Sequence, residues 1–401
     1  MEIQRIPGSA RVTSLRQSDF TARARAAAEM ARLNAAAVDA EARFPSQAFA
    51  EIRRQKLLGI QVPQALGGES ANIAEIADVC YILGQACSST GLIYAMHQIK
   101  MACIVRHARG SAAIERILSR IAAEQLLLAS STTEGQAGGN VRSSEAPIEH
   151  DGGEITLERK ATVISYAVEA DGVVTTARRA ADAAASDQVL LILLKEHYTL
   201  ERLQVWDTLG MRGTHSEGFT LRARAAADQI LPEPYERIHA QTMVPFAHLL
   251  WGSVWAGIAA AAAGKAQGFI RHAARGANGQ LPPGAPHFTQ AVSTLRTLRG
   301  VLAANLRAYE AVMSDEKAVA SLEFQAAITL TKVQASELAV AAVLSSLRAC
   351  GLSGYRNDTE FTIGRLLRDV LSAPIMISND RILANLAASS LMTPLPTSIS
   401  G

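Results

Sequence analysis

The residues best suited to hold a ligand stand in one short run of hydroxyl, amide and glycine side chains, residues 131–140. The run follows a short apolar strand pattern, Leu126-Leu127-Leu128-Ala129, and leads into a polar, turn-rich segment with strand patterning. Glycine permits positive φ and has no Cβ, so such a loop can bring backbone N–H groups close to an anionic or polar ligand. The run therefore predicts a binding loop, although Gly138-Gly139 taken alone is also explained as a hairpin turn.

Helical patterns stand on both sides of this β unit. Apolar residues recur at three- and four-residue steps before residue 125, and again from Met243 onward. Between them, short β-branched runs alternate with turn signals, which predicts a small antiparallel sandwich or barrel without the helical crossovers of a parallel sheet. We therefore predict an α+β chain with three domains, residues 1–124, 125–240 and 241–401, the last with the character of a four-helix bundle.

The composition argues against several classes of protein. The 401 residues carry a formal net charge of +2, and the arginines are scattered along helices, so no nucleic-acid-binding patch is indicated. The four cysteines form no C-x-x-C pair, which indicates neither a zinc site nor a disulfide framework. The N-terminus lacks the apolar core of a signal peptide, and the most apolar run, residues 251–263, is too short to span a bilayer. We expect a cytoplasmic protein that binds neither nucleic acid nor membrane.

Five stretches carry a wider pattern, and together they extend over nearly the whole chain: residues 58–68, 133–140, 209–214, 263–267 and 351–369. In this order and spacing they resemble the acyl-CoA dehydrogenase family, whose motifs there are G-I-x-x-P-x-x-x-G-G, T-E-P-x-A-G-S-D, L-G-M-R-G-S/T, A-x-G-x-A-x and G-G-x-G-Y/F…R-x-x-R-D. Each motif alone is weak, whereas the ordered set is specific. The order of helical block, β block and four-helix block is also the family's arrangement.

The resemblance implies an FAD cofactor, bound between the β domain and the C-terminal helices across a subunit boundary of a homotetramer. On this basis Thr133, Gly138 and Gly139 would line the isoalloxazine and ribityl side of the flavin. The strand Thr162-Val163-Ile164 would pass over it.

The resemblance also assigns residues to the other end of the cofactor. Gly351, Leu352 and Gly354 would approach the pyrophosphate or adenosine of an FAD bound mainly by a neighbouring subunit. Asn379 and Arg381 lie where the family makes further cofactor contacts.

The family's usual proton acceptor is missing. In its dehydrogenases a glutamate before the last helix removes the substrate α-proton, and here that position is Ile377, which cannot accept a proton. Some members of the family use a different position for the base, which falls near Val254 here, and valine cannot accept a proton either. Asp380 is the nearest carboxylate and our candidate base, although the helix macrodipole also explains an aspartate at a helix N-terminus.

Three other polar side chains are interpreted as structural. His248 and His272 lie on apolar helical faces, where a histidine with satisfied hydrogen bonds is expected. Arg212 is interpreted as a turn arginine that pairs with a carboxylate.

Three functions remain open on the sequence. The first, which we favour, is an FAD-dependent oxidoreductase that dehydrogenates an acyl thioester at Cα–Cβ, with hydride transfer to flavin N5. The second is a flavin-dependent monooxygenase or oxidase of the same fold, which does not need the missing glutamate. The third is a flavin- or ligand-binding protein without turnover. The acyl chain, its carrier (CoA or a carrier protein) and the electron acceptor are left open.

Overall fold

The computed structural model describes residues 17–133, 143–392 and 398. Gly138, Gly139 and the rest of the segment 134–142 lie outside the described residues. In the described part of the chain, a helical block is followed by two small β-sheets and then by a second helical block. This order confirms the predicted α+β architecture, whereas the positions of the domain boundaries remain predictions.

The described part of the N-terminal block is built from α1 (Gln17–Ala40), α2 (Ser46–Arg54), α3 (Ile73–Ala86), α4 (Ser88–His107) and α5 (Ala112–Glu124). Asn72 starts α3 with a capping box, because its side chain accepts the N–H of Glu75 while the Glu75 carboxylate accepts the N–H of Asn72. Almost every residue of α4 is buried. The polar side chains of α4 therefore face the protein interior and must find partners there.

Seven strands of the described chain form the two sheets: β1 (Leu128–Ser131), β2 (Glu149–Asp151), β3 (Glu154–Ser165), β4 (Gly172–Arg178), β5 (Gln188–Leu194), β6 (Tyr198–Gln204) and β7 (Ser216–Ala226). One sheet has the order β2–β3–β7–β6 and is antiparallel throughout. The other has the order β1–β4–β5, and β1 runs parallel to β4. A purely antiparallel domain was therefore the wrong prediction. The chain places β2 and β3 in the other sheet between β1 and β4, so the parallel pair needs no helical crossover.

A β-bulge interrupts the pairing of β3 with β7. The register shifts between Ala161 and Ile164, which takes Thr162 and Val163 out of the ladder. The sequence pattern predicts two separate strands, residues 154–157 and 161–164, but one strand of 12 residues contains both. The bulge lies in the segment that the family resemblance places over the flavin.

The C-terminal block begins with α6 (Tyr235–Ile238) and one π-helical turn (His239–Met243), which the sequence did not predict. The remaining helices are α7 (Val244–Gly276), α8 (Ala285–Val312), α9 (Glu316–Ala320), α10 (Leu322–Cys350), α11 (Leu352–Tyr355), α12 (Gly364–Val370), α13 (Ser372–Ile375) and α14 (Asn379–Met392). The sequence pattern predicts one long helix over residues 318–350, but the structure divides it at Ser321. The Ser321 hydroxyl accepts the N–H of Phe324 and starts α10.

Two of the sequence motifs pack directly on each other. The Met211 N–H donates to Asp369 Oδ1 at 2.7 Å, and a Cβ on Gly210 would overlap the backbone carbonyl of Arg368. Arg212 donates to two backbone carbonyl oxygens of this region, in agreement with a structural role. The two motifs, residues 209–214 and 365–369, thus meet at one junction between the β domain and the C-terminal helices.

Helices α3 and α7 approach so closely that each needs a glycine at the contact. A Cβ on Gly84 would lie 2.6 Å from the carbonyl oxygen of Val254, and one on Gly257 would overlap the carbonyl oxygen of Tyr81. We expect Gly257→Ala to lower the free energy of unfolding by about 1–3 kcal/mol, because backbone must shift to admit the methyl group.

Gly264→Ala is the matched control for this contact. Gly264 lies on the same helix, and no described atom would lie within 4 Å of its Cβ. Alanine there should be neutral or stabilise the helix by about 0.5–1 kcal/mol. Chemical denaturation of both variants measures the difference, and equal effects would contradict the close contact.

Two helical segments of the described chain are long and apolar enough to cross a membrane by length and composition, Tyr235–Gly276 and Leu322–Cys350. In the first, 83% of the most apolar window is buried inside the protein, and in the second 44%. A core helix passes the same test, so this is weak evidence for a membrane span. The apolar run of residues 251–263 lies inside the first of these segments, and the expectation that the protein binds no membrane stays a prediction.

Candidate functional site

A cavity lies where α4, the end of β1 and the start of α7 meet. Lys100 comes from α4, Thr132 follows β1, and His248 and Trp251 come from the first turns of α7. Ile377, at the position of the missing glutamate, also lines it. The volume is about 90 Å³, and by the same measure one water needs roughly 10–15 Å³, so the cavity holds a group of several heavy atoms.

His248 is a buried, neutral hydrogen-bond acceptor in this cavity. Its Nδ1 lies 3.0 Å from the carbonyl oxygen of Ile328, and because a carbonyl only accepts, Nδ1 is assigned the proton. This tautomer leaves Nε2 as an acceptor. Burial, with a smaller contribution from the Lys332 ammonium and against the hydrogen bond to Ile328, lowers the pKa of His248 to about 4, so the ring is uncharged at neutral pH.

Lys100 is a buried amine in the same cavity. Its side chain is 4% exposed, and its Nζ donates to Met243 Sδ at 3.4 Å. A thioether sulfur is a weak acceptor. Burial lowers the pKa of Lys100 to about 8. Within the described residues, Lys100 has no ion pair with a carboxylate.

A second buried lysine fixes the loop that carries Ile377. Lys332 is fully buried, and its Nζ donates to the carbonyl oxygen of Ile377 at 2.8 Å and to Asn379 Oδ1 at 2.7 Å. The Asn379 amide in turn donates to Ser336 Oγ and Glu337 Oε1. Ile377 has a φ of +51°, an unfavourable conformation for a β-branched residue. The lysine network holds the loop in this conformation, with Ile377 against the cavity.

The predicted base lies apart from this arrangement. Asp380 is exposed in the first turn of α14 and is not among the residues that line the cavity. Arg381 follows it and is also exposed. Their catalytic and cofactor roles stay predictions. Asn379, predicted as a cofactor contact, uses its side chain for the loop network instead of leaving it free for a ligand. Val254 is fully buried and does not line the cavity either.

The predicted flavin-side residues are divided between surface and core. Thr133 is half-buried and directly follows Thr132 of the cavity. Thr162 and Val163 are exposed at the β-bulge. Ile164 is fully buried in the core, so a ligand there would meet its backbone instead of its side chain.

The predicted pyrophosphate-side residues form the turn after α10. Gly351 has a φ of +55°, a conformation that favours glycine. Leu352 is 71% exposed. Gly354 is explained by packing, because a Cβ there would lie 2.6 Å from the Cβ of Cys350. The turn is accessible at the surface, and its contact with a cofactor stays a prediction.

Sequence reasoning missed three residues of the cavity: Lys100, His248 and Trp251. A signal for Lys100 was present, since it is the one charged residue in the apolar run Ile99-Lys100-Met101-Ala102-Cys103-Ile104. His248 was interpreted as structural, and only its Nδ1 fits that interpretation. The described residues contain no cluster of three or more histidine, cysteine or acidic side chains that could hold a metal ion.

Two family models match the chain. The model described as "Acyl-CoA dehydrogenase, N-terminal domain" matches residues 15–125, and "Acyl-CoA dehydrogenase, C-terminal domain" matches residues 254–392. Together they extend over more than half of the chain. The chain belongs to the acyl-CoA dehydrogenase family.

Curated relatives from two bacteria agree with this membership. The probable acyl-CoA dehydrogenase FadE25 of Mycobacterium leprae (strain TN) is 25% identical over 372 residues, which cover 90% of this chain and 91% of that protein. The probable acyl-CoA dehydrogenase YngJ of Bacillus subtilis (strain 168) is 25% identical over 339 residues, covering 83% and 86%.

Solved structures of the acyl-CoA dehydrogenase fold are also similar. FMN-bound TdsC from Paenibacillus sp. A11-2, a dibenzothiophene monooxygenase, has a TM-score of 0.81 at 18% identity, covering 94% of this chain and 98% of that chain. The nitrososynthase from Micromonospora carbonacea var. africana has a TM-score of 0.79 at 21% identity, covering 93% and 96%. Butyryl-CoA dehydrogenase from Megasphaera elsdenii has a TM-score of 0.78 at 16% identity, covering 96% and 100%. At these identities the likeness establishes the fold alone.

Proposed function

We propose that the protein is an FAD-dependent oxidoreductase that dehydrogenates an acyl thioester at Cα–Cβ, with His248 as the proton acceptor. The observation that carries the proposal is that His248 lines the same cavity as Ile377 while its Nδ1 contacts the carbonyl oxygen of Ile328, which assigns Nε2 as the unprotonated nitrogen. A base is needed within hydrogen-bond reach of the substrate α-proton. The position that normally supplies it is apolar here, and an imidazole lines the same cavity.

Residues that line the cavity carry hydrogen-bonding groups of the kind that a flavin binds. The indole N–H of Trp251 is buried and has no hydrogen-bond partner among the described residues. A buried donor without an acceptor costs about 1–3 kcal/mol, which a ligand with ring carbonyl oxygens and nitrogens would remove. The hydroxyl-bearing Ser130 and Thr132 line the same space. When bound, the flavin supplies an acceptor for the hydride that leaves Cβ, a chemistry that protein side chains do not provide.

The chain's own part in the reaction is proton transfer and positioning. Nε2 of His248 takes the proton from Cα, and the electron pair of that C–H bond becomes the second bond between Cα and Cβ as the β-hydrogen departs with its own pair. The Nδ1–H bond to Ile328 holds the ring in the required tautomer throughout. The loop network around Lys332 keeps the apolar side chain of Ile377 against the cavity and helps to exclude water.

A flavin-dependent monooxygenase or oxidase is the second candidate. The observation that favours it is the absence of a carboxylate among the described residues that line the cavity. Such an enzyme reacts reduced flavin with oxygen and has no need of a base for the α-proton. TdsC and the nitrososynthase combine chemistry of another kind with this fold. A flavin-binding protein without turnover is the third candidate.

Anaerobic titration with acyl-CoAs of different chain length separates these candidates. Purified protein is expected to contain FAD, and its absorbance near about 450 nm should bleach when an acyl-CoA is added without oxygen. Flavin that no acyl-CoA reduces, but that consumes oxygen after chemical reduction, would favour the monooxygenase or oxidase. Protein that neither contains nor binds a flavin would contradict all flavin-dependent candidates, and bound FMN would contradict the choice of FAD.

We also propose a cytoplasmic homotetramer, with the electron acceptor left open. The C-terminal helices expose large apolar side chains: Leu344, Leu352, Tyr355, Ile375, Leu383 and Leu391. A lone subunit would leave this surface in water, which favours burial against further copies. Light scattering at micromolar concentration should therefore report four subunits, and a monomer would contradict the assembly.

A further inference from the structure

The amine of Lys100 is buried at the cavity without a strong partner. It is 4% exposed, and its hydrogen bond goes to a thioether sulfur, Met243 Sδ. The same sulfur also accepts the hydroxyl of Tyr235 at 3.4 Å, so it is shared between two donors. Among the described residues no carboxylate forms an ion pair with Lys100.

Buried ammonium groups are normally paired, because desolvation of the charge is costly. The depressed pKa of Lys100 reflects that cost, since burial is its largest cause. Methionine or leucine would fill this place on the apolar α4 helix without the penalty. A lysine that faces the cavity and has no counter-ion in the described part of the chain is therefore suited to a counter-ion that the ligand brings.

We propose that Lys100 binds a carboxylate on the acyl group of the substrate, so that the substrate class is a thioester of a short dicarboxylic acid. This proposal rests on the proposed function, since it names the substrate class of the same site. The cavity volume of about 90 Å³ limits the acyl chain to a few carbons. Met96, Ile99 and Ala247 line the cavity and contact the chain's methylene groups, while the ammonium of Lys100 pairs with the terminal carboxylate.

The experiment compares two acyl-CoAs with chains of equal carbon number, glutaryl-CoA, which ends in a carboxylate, and pentanoyl-CoA, which ends in a methyl group. Binding to the flavin-loaded protein is measured by calorimetry for the wild type, Lys100→Met, Lys100→Arg and Lys317→Met. Methionine matches the length of lysine and removes its charge, and arginine keeps the charge. Lys317 is an exposed lysine of α9 outside the cavity lining, so Lys317→Met controls for net charge.

The wild type and Lys317→Met should bind glutaryl-CoA at least tenfold more tightly than pentanoyl-CoA. Lys100→Met should lose at least tenfold in affinity for glutaryl-CoA and no affinity for pentanoyl-CoA, whereas Lys100→Arg should keep the preference. Equal binding of the two by the wild type, or an unchanged preference in Lys100→Met, would overturn the proposal. The proposal would also be overturned if Lys100→Met lost its flavin but still preferred glutaryl-CoA, because Lys100 would then contact the cofactor and not the substrate.

Binding and flavin reduction are read separately, which separates the two proposals. The protein could prefer glutaryl-CoA in a Lys100-dependent way while neither acyl-CoA reduces the flavin. That outcome would contradict the dehydrogenase proposal and support the carboxylate site. If neither acyl-CoA binds, the N-acetylcysteamine thioesters of the same two acids are compared at millimolar concentration. If the protein shows no Lys100-dependent preference between these two thioesters either, the proposed carboxylate site is overturned.

Discussion

Replacing His248 with asparagine should slow flavin reduction by an acyl thioester about 10²-fold or more while leaving the flavin content unchanged. Asparagine retains an N–H that can donate to the carbonyl oxygen of Ile328, as His248 Nδ1 does now at 3.0 Å. It removes the second ring nitrogen, which is the only part of the side chain assigned to proton transfer. Loss of a positioned general base costs typically 10²–10⁴ in rate. Stopped-flow absorbance under anaerobic conditions measures the rate directly.

Asp380→Asn is the matched comparison, because Asp380 is the carboxylate that the sequence nominates. It is exposed and does not line the cavity, so its replacement should leave flavin reduction close to the wild-type rate if His248 is the base. The reverse outcome, a slow Asp380→Asn and a normal His248→Asn, would transfer the role to Asp380. Wild-type rates in both variants would show that neither His248 nor Asp380 is the base, and would favour the flavin-dependent monooxygenase or oxidase.

The protein should lose stability as the pH falls from 6.5 to 4. Burial lowers the pKa of three histidines, His97, His107 and His248, to about 4, from an ordinary value of 6.5. Between these two values the unfolded chain binds protons that the folded chain does not, so the free energy of unfolding falls as the pH falls. Each group contributes about 1.4 kcal/mol per pH unit, and three contribute about 4.

Denaturant unfolding at several pH values between 4 and 7 measures this slope. His107→Gln is the informative variant, because glutamine can keep the hydrogen bond to Thr242 Oγ1 that His107 makes at 2.8 Å but cannot be protonated. In this variant the free energy of unfolding should depend less steeply on pH, because only two of the three histidines can still be protonated. The slope should be smaller by about a third of what the three histidines contribute together. Burial raises the pKa of Asp369, which offsets part of the loss at the acid end. A slope near zero from pH 6.5 to 4, or an unchanged slope in the variant, would contradict neutral buried histidines.

The helices could be predicted from the sequence because they depend on local periodicity and on ordered motifs. The β domain was less predictable, since the pairing of β1 with β4 joins Leu128 to Gly172 across an intervening hairpin. The π-helical turn before α7 had no sequence signal that we identified, and it places His239 and Met243 at the cavity. The predicted loop residues Gly138 and Gly139 lie outside the described residues.

The sequence by itself determined the family, the order of the three blocks and the replacement of the family's glutamate by Ile377. These follow from residue types at fixed positions along the chain, without knowledge of contacts. Only the tertiary structure decided what the other polar side chains do. His248 obtains its tautomer from Ile328, 80 residues away, and Lys100 meets Met243, 143 residues away. The burial, charge state and hydrogen-bonding capacity of a side chain depend on such distant partners. For this reason the sequence alone indicated a structural role for His248 and no role for Lys100.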